Sequence, residues 1–120
     1  MKYTKKVTLA FERTIRAYDR LIADPEREQE KWKRYGNLDA CRMCVAVRRE
    51  TLQDPCDRCP LSRGVCGGCA VPSLESLSFA LWDGERVADT ATARRQWLLD
   101  TANACEGFEH GYDPDWMKRC

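Results

Sequence analysis

The sequence predicts a small, mostly α-helical domain with a loop-rich cysteine segment inserted between its helices and with little or no β-structure. Three observations support this fold class. Apolar residues recur at helical spacing on both sides of the middle of the chain, six of the eight cysteines cluster in residues 41–69, and prolines and glycines interleave that cluster. The chain has 120 residues and a mass of 13.8 kDa. Since this is the size of one domain, we expect residues 1–120 to fold together.

The N-terminal helices are predicted within residues 5–36. Over residues 5–23 the apolar residues step by three or four positions, which is typical of a helix with one buried stripe. The stripe consists of Val7, Phe11, Ile15, Tyr18 and Ile22. The charged residues of the same stretch are expected on the opposite face. They are Glu12, Arg13, Arg16, Asp19 and Arg20.

A second helix is predicted to follow at once. Asp24 is a good N-cap and Pro25 suits the first helical position, while Gly36 is a natural stop after about Tyr35. The helix is nearly all polar, so it is either a solvated helix across one end of the domain or a helix that contacts a partner or a phosphate. Trp32 and Tyr35 are its only large apolar residues, and they are either core anchors or contacts to a partner protein.

Two C-terminal helices are predicted within residues 73–107. Ser73 is expected to cap a short helix over residues 74–82, and Gly84 is expected in the turn that ends it. The residues expected to face inward are Leu74, Leu77, Leu81 and Trp82.

Asp89 or Thr90 is expected to cap the last helix, which is expected to run to about Glu106, where Gly107 ends it. Its buried face is expected to consist of Ala91, Leu98, Ala102 and Cys105, with Trp97 beside it. Residues 108–120 contain glycine, proline and four acidic residues, and we expect an irregular tail.

Residues 37–72 form the predicted metal-binding segment, which is organised like a zinc knuckle. Three C-x-x-C pairs lie in it, namely Cys41 with Cys44, Cys56 with Cys59, and Cys66 with Cys69. Each pair directs two sulfurs at one point, so two pairs complete a tetrahedral four-thiolate site for Zn²⁺. The spacing leaves open which four of the six cysteines bind. It also leaves open whether one zinc ion or two zinc ions with bridging thiolates are held.

An iron–sulfur cluster is the alternative cofactor, because four thiolates would also hold one. The usual ferredoxin spacings are missing, which favours zinc. A redox dithiol is a weaker alternative, since a thioredoxin-like C-x-x-C needs a βαβ setting that the sequence does not offer. Cys105 is expected to be a small buried side chain, and Cys120 an exposed one.

No catalytic motif accompanies the cysteines, and an all-thiolate zinc site has no open position for a substrate. We therefore expect a protein that is not an enzyme. Arg42 and Arg58 lie inside the C-x-x-C turns and are the candidate nucleic-acid contacts. The net charge of +1 and the neighbouring acids favour instead solvated arginines that balance thiolate charge.

The N-terminus is basic, but the apolar stretch after it is too short for a signal peptide, and no run is long enough to span a membrane. We therefore expect a cytoplasmic protein with no membrane partner. This expectation also favours metal binding over disulfides, since the cytosol keeps thiols reduced.

The order of these features resembles a group of small bacteriophage-encoded cysteine-rich proteins with no assigned activity. Residues 37–44 give the N-terminal C-x-x-C pair, residues 56–61 give a C-x-x-C-P pair, and Cys66 precedes a proline element at residues 72–73. Helices flank the cysteines on both sides, and the resemblance covers roughly residues 8–105. The polar helix at residues 25–35 and the lack of an aromatic residue after Pro72 depart from the group's pattern.

The resemblance implies a phage origin and an accessory role in the cytoplasm of an infected host cell. Together with the residues it leads to our expectation of a zinc-stabilised, non-enzymatic protein that binds a host protein, in modulation of host defence or transcription. The alternatives are a nucleic-acid-binding zinc module and an iron–sulfur or redox protein. The sequence leaves the oligomeric state open.

Overall fold

A computed structural model of the chain describes residues 5–35, 46, 47, 49 and 72–103. Four helices make up this part, and they are α1 (Lys5–Ala23), α2 (Pro25–Tyr35), α3 (Pro72–Asp83) and α4 (Val87–Asn103). Residues 46, 47 and 49 are helical as well, and the described residues contain no strand. The mostly α-helical fold class is thereby confirmed.

Helix α1 supplies the largest share of the core. Val7, Phe11, Ile15 and Tyr18 are fully buried, as the apolar spacing predicts, and Leu21 rather than Ile22 completes the stripe. The buried arc is wider than one stripe because α1 packs against both α2 and α4.

The wider arc also takes in side chains that the sequence places elsewhere. Glu12, predicted on the charged face, is only 8% exposed, so that prediction is wrong. Thr8 and Thr14 are buried too, and their hydroxyls donate to the carbonyls of Lys5 (2.9 Å) and Ala10 (2.8 Å). The helix backbone thus satisfies both buried hydroxyls.

The junction of α1 and α2 is the single residue Asp24. Its backbone N–H donates to the Arg20 carbonyl at 3.1 Å, and its own carbonyl accepts from the Glu28 N–H at 3.2 Å. The Asp24 carboxylate accepts from the Arg27 N–H at 3.3 Å, as an N-cap does. The predicted end of the first helix and start of the second are therefore confirmed, whereas Gly36 lies outside the described residues.

Gly84 ends α3 as predicted. It has a φ of 72°, and its N–H donates to the Ala80 carbonyl at 2.8 Å, which closes the last turn. Helix α4 begins earlier than predicted, because the Arg86 carbonyl already accepts a hydrogen bond from the Thr90 N–H at 3.0 Å. Arg86 itself has a φ of 58°. The Thr90 hydroxyl does not cap the helix and instead donates back to the carbonyls of Arg86 (2.9 Å) and Val87 (3.1 Å).

Gly84→Ala is expected to lower the free energy of unfolding by about 1–2 kcal/mol. The φ of 72° disfavours any side chain, and a Cβ atom would lie 3.2 Å from Nε2 of Gln29. Urea denaturation followed by circular dichroism measures the loss. A Gln29→Ala background removes the crowded atom and leaves only the backbone part of the cost, so the double-mutant cycle separates the two terms. An unchanged unfolding free energy in both backgrounds would contradict the left-handed turn.

The four helices close on one another around a shared core. Helix α4 packs against α1 and α3, and α2 contacts α1, α3 and α4. The Arg95 guanidinium Nε lies 2.7 Å from the Asp19 carboxylate, which ties α4 to α1. Because Asp19 is half exposed, this ion pair fixes the alignment of the two helices more than it adds stability. None of the described helices is long and apolar enough to span a bilayer.

Candidate functional site

The predicted metal ligands lie outside the described residues. These are Cys41, Cys44, Cys56, Cys59, Cys66 and Cys69. The candidate nucleic-acid contacts Arg42 and Arg58, and the remaining cysteines Cys105 and Cys120, lie outside them as well. Within the described ranges, no group of three or more His, Cys, Asp or Glu side chains is placed to hold a metal ion. The metal centre therefore stays a prediction from cysteine spacing.

The described helices do show where the cysteine segment is attached. It leaves the framework at the end of α2 and returns to it at the start of α3, and these two helices pack on each other. The Gln29 side-chain amide on α2 donates to the Leu81 carbonyl on α3 at 3.2 Å. This bond satisfies one of the last carbonyls of α3, which have no partner within the helix. Both attachment points thus belong to one packed framework.

The segment between α2 and α3 also contributes to the core. Val47 is 1% exposed and belongs to the buried cluster, and Ala46 packs against that cluster from the same helical stretch. Arg49 is exposed. Val47 lies three residues after Cys44, so the predicted metal-binding pair adjoins a core side chain in the sequence.

The sequence leaves open whether Trp32 is a core anchor or a contact to a partner protein, and in the structure it is a core residue. It is 3% exposed, and its ring meets the Tyr18 ring edge-on, with centroids 4.9 Å apart and planes at 62°. Such a pair adds to the stabilisation that burial alone gives. A ring in this position offers no surface to a partner protein. The Tyr35 side chain lies outside the described part of the chain.

Arg94 is a buried residue that the sequence analysis missed. Its side chain is fully buried on α4, and its guanidinium carbon lies 4.3 Å from the centroid of the Trp97 ring. This geometry is a cation–π contact. The burial of Arg94 could have been predicted from its position on the helix. Arg94 lies three residues after Ala91 and four before Leu98, which are both fully buried, so it shares their face.

Two aromatic side chains of α3 point to solvent. Trp82, predicted to face inward, is 74% exposed, and Phe79 is 70% exposed, so the prediction for Trp82 is wrong. Among the described side chains of α3, Leu77, Ala80 and Leu81 are the buried ones, and the side chain of Leu74 lies outside the described part. Trp82 follows Leu81 directly and is therefore turned by about 100° from it around the helix axis.

An open cleft of about 430 Å³ lies where the α1–α2 junction meets the α3–α4 junction. Three acidic residues and one arginine line it, and they are Asp24, Glu26, Asp89 and Arg86. Gln29 and Gly84 form part of the same lining. No cysteine or histidine lies among the cleft residues, and the excess of acidic over basic side chains disfavours an anionic ligand.

The chain matches no protein-family model, no curated protein and no solved structure. Its function is therefore inferred from its own residues.

Proposed function

We propose that this protein is a zinc-stabilised, non-enzymatic bacteriophage accessory protein that binds a host protein, in modulation of host defence or transcription. One observation carries the zinc part of this proposal. Three C-x-x-C pairs lie in residues 41–69, and the segment that contains them joins two helices that pack on each other.

Zinc is the ion that this donor set favours. Four thiolates in two C-x-x-C turns suit tetrahedral Zn²⁺, and the cysteine spacing departs from the common iron–sulfur runs. Metal binding would cross-link a long, proline- and glycine-rich segment whose ends are already held by α2 and α3. In zinc-finger peptides the ion contributes roughly 10–16 kcal/mol, which is folding energy for a chain of this size.

A binding role fits the same features better than catalysis does. A zinc ion held by four thiolates has no open coordination position. Such an ion stabilises the fold of the chain but cannot bind a substrate. The large exposed aromatic rings of Phe79 and Trp82 offer the kind of surface that protein partners use. The phage and host parts of the proposal depend on the resemblance of the cysteine layout.

The experiment that tests the zinc part is a metal analysis of protein purified without oxygen, combined with an absorbance spectrum and an intact native mass. We expect a colourless protein with one zinc ion per chain. Two zinc ions would mean that all six clustered cysteines take part through shared thiolates. Iron together with sulfide, and a brown colour, would overturn the proposal and make redox chemistry the leading function.

The host-binding part is tested by capture from host lysate followed by reconstitution with the purified candidate. We expect one host protein to bind the zinc-loaded chain at physiological salt. Binding of DNA or RNA that weakens steeply with salt and is lost on Arg42→Ala and Arg58→Ala would instead identify a nucleic-acid module.

A further inference from the structure

Helix α3 has two apolar faces, and only one of them is used within the described part of the chain. Leu77, Ala80 and Leu81 are buried against the other helices. Phe79 and Trp82 are 70% and 74% exposed, and they are the exposed large hydrophobic residues among those described. An amphipathic surface helix normally carries polar residues at such positions.

The two rings belong to a continuous stripe with acidic ends. At about 100° per residue, Glu75, Phe79 and Trp82 fall within an arc of about 60° on the helix surface, and Asp83 lies beside Phe79. Glu75 and Asp83 are both exposed, whereas the charges of the exposed Glu85 and Arg86 in the turn that follows offset each other. Helix α3 contains no lysine or arginine, so every charge on it is negative. We call the surface of Glu75, Phe79, Trp82 and Asp83 the α3 stripe.

The charge of the α3 stripe decides what can cover it. A second copy of the chain that docked through the same stripe would bring its own acids against Glu75 and Asp83, and like charges brought together repel. Nucleic acid and anionic lipid are repelled for the same reason, although exposed aromatic rings otherwise suit both. A protein segment that carries apolar and basic side chains meets both the rings and the carboxylates.

We propose that the α3 stripe is the docking surface for a basic amphipathic helix of the partner protein. Helices pack on one another through rows of side chains spaced by three and four residues, which is the spacing of the stripe. The two rings expose on the order of 300 Å² together, enough for the apolar centre of an interface whose rim the acids complete. This inference rests on the proposed host-binding function and assigns it to a surface.

The experiment uses the full-length chain and a synthetic amphipathic helical peptide with leucines on one face and lysines on the other. A matched peptide has glutamate in place of every lysine. We expect the lysine peptide to bind, with affinity that falls as salt is raised, and the glutamate peptide to show no binding. Trp82→Ala and Phe79→Ala should each weaken binding by about 30-fold or more, the size of a hot-spot loss.

Charge variants test the rim separately. Glu75→Lys and Asp83→Lys should each weaken the binding of the lysine peptide. Glu26 is an exposed acid on α2, and Glu26→Lys should leave this binding unchanged. Circular dichroism melts of every variant show whether the chain is still folded. Equal binding of both peptides, or full binding by Trp82→Ala, would overturn the proposal. So would a concentration-dependent dimer that Trp82→Ala dissociates, or binding of the chain to anionic lipid vesicles through the same rings.

The outcomes for this surface and for the proposed function are distinct. If the zinc-loaded Trp82→Ala protein still retains a purified host partner, the surface assignment fails and the host-binding function stands. If the lysine peptide binds through Trp82 but the protein holds iron or no metal, the zinc part of the proposed function fails and the surface stands.

Discussion

Cys44→Ser is expected to yield a protein that holds no stoichiometric zinc and shows no cooperative unfolding transition. A structural zinc site contributes roughly 10–16 kcal/mol in peptides, whereas a whole domain is stable by about 5–15 kcal/mol. If the ion is lost together with this thiolate, the chain loses a term as large as its total stability. The same change loosens the stretch that carries the buried Val47, so the helical core is affected as well. Metal analysis and a thermal melt by circular dichroism measure the two effects.

Cys120→Ser is the matched control for this experiment. It makes the same atomic change at a cysteine outside the three C-x-x-C pairs, so zinc content and melting temperature should stay at the values of the parent chain. A Cys44→Ser protein that is metal-free and still melts cooperatively like the parent would contradict the structural role of the metal. Loss of zinc in both variants would mean that the zinc ligands include Cys120, a cysteine outside the three C-x-x-C pairs.

Trp32→Ala is expected to lower the free energy of unfolding by about 3–5 kcal/mol, the usual cost of removing a buried tryptophan. Trp32 is the one side chain in the described part of α2 that is buried, and its contact with Tyr18 attaches this polar helix to α1. Its removal leaves a cavity, and the side chains next to it in α2, at residues 28–31 and 33, are all polar. Urea denaturation at constant slope gives the change.

Trp82→Ala makes the identical chemical change at a ring that is 74% exposed. Surface substitutions of this kind usually stay within about 0.5 kcal/mol. The pair of variants therefore separates a core tryptophan from a surface tryptophan on one scaffold. Equal stability of the two proteins would mean that the burial of Trp32 against Tyr18 is wrong.

The helices could be predicted from the sequence where local signals agree with packing. The apolar spacing of residues 5–23 predicts α1 and the N-cap at Asp24 predicts the start of α2, and the structure places the junction of the two helices where the sequence does. Gly84 was recognisable for a similar reason, because a left-handed residue after a short apolar helix favours glycine.

The errors arise where tertiary packing decides between equal local patterns. Glu12 is buried because α1 is covered on two sides, which no stripe within a single helix reveals. Ala80 and Trp82 lie on either side of Leu81 in the sequence, and tertiary packing buries Ala80 and leaves Trp82 exposed. The start of α4 was placed too late because Arg86 adopts a left-handed conformation that sequence rules reserve for glycine and asparagine.

The candidate site divides in the same way. Thiolate ligands can be recognised by the spacing of their cysteines, because a C-x-x-C pair has few other uses in a reducing compartment. The zinc site remains a prediction on that basis. The α3 stripe could not be found from the sequence. Phe79 and Trp82 resemble ordinary core aromatics until the helix is oriented by Leu77 and Leu81.

The pairing of α1 with α4 has a consequence for the chain as it is synthesised. The apolar face around Phe11, Ile15 and Tyr18 emerges first, yet one of its coverings is the last of the four helices, which the Asp19–Arg95 contact fixes in place. At about 5–20 residues per second, the ribosome needs several seconds to make the residues between α1 and α4. During that interval the nascent chain presents an uncovered hydrophobic helix, the kind of segment that cellular chaperones bind.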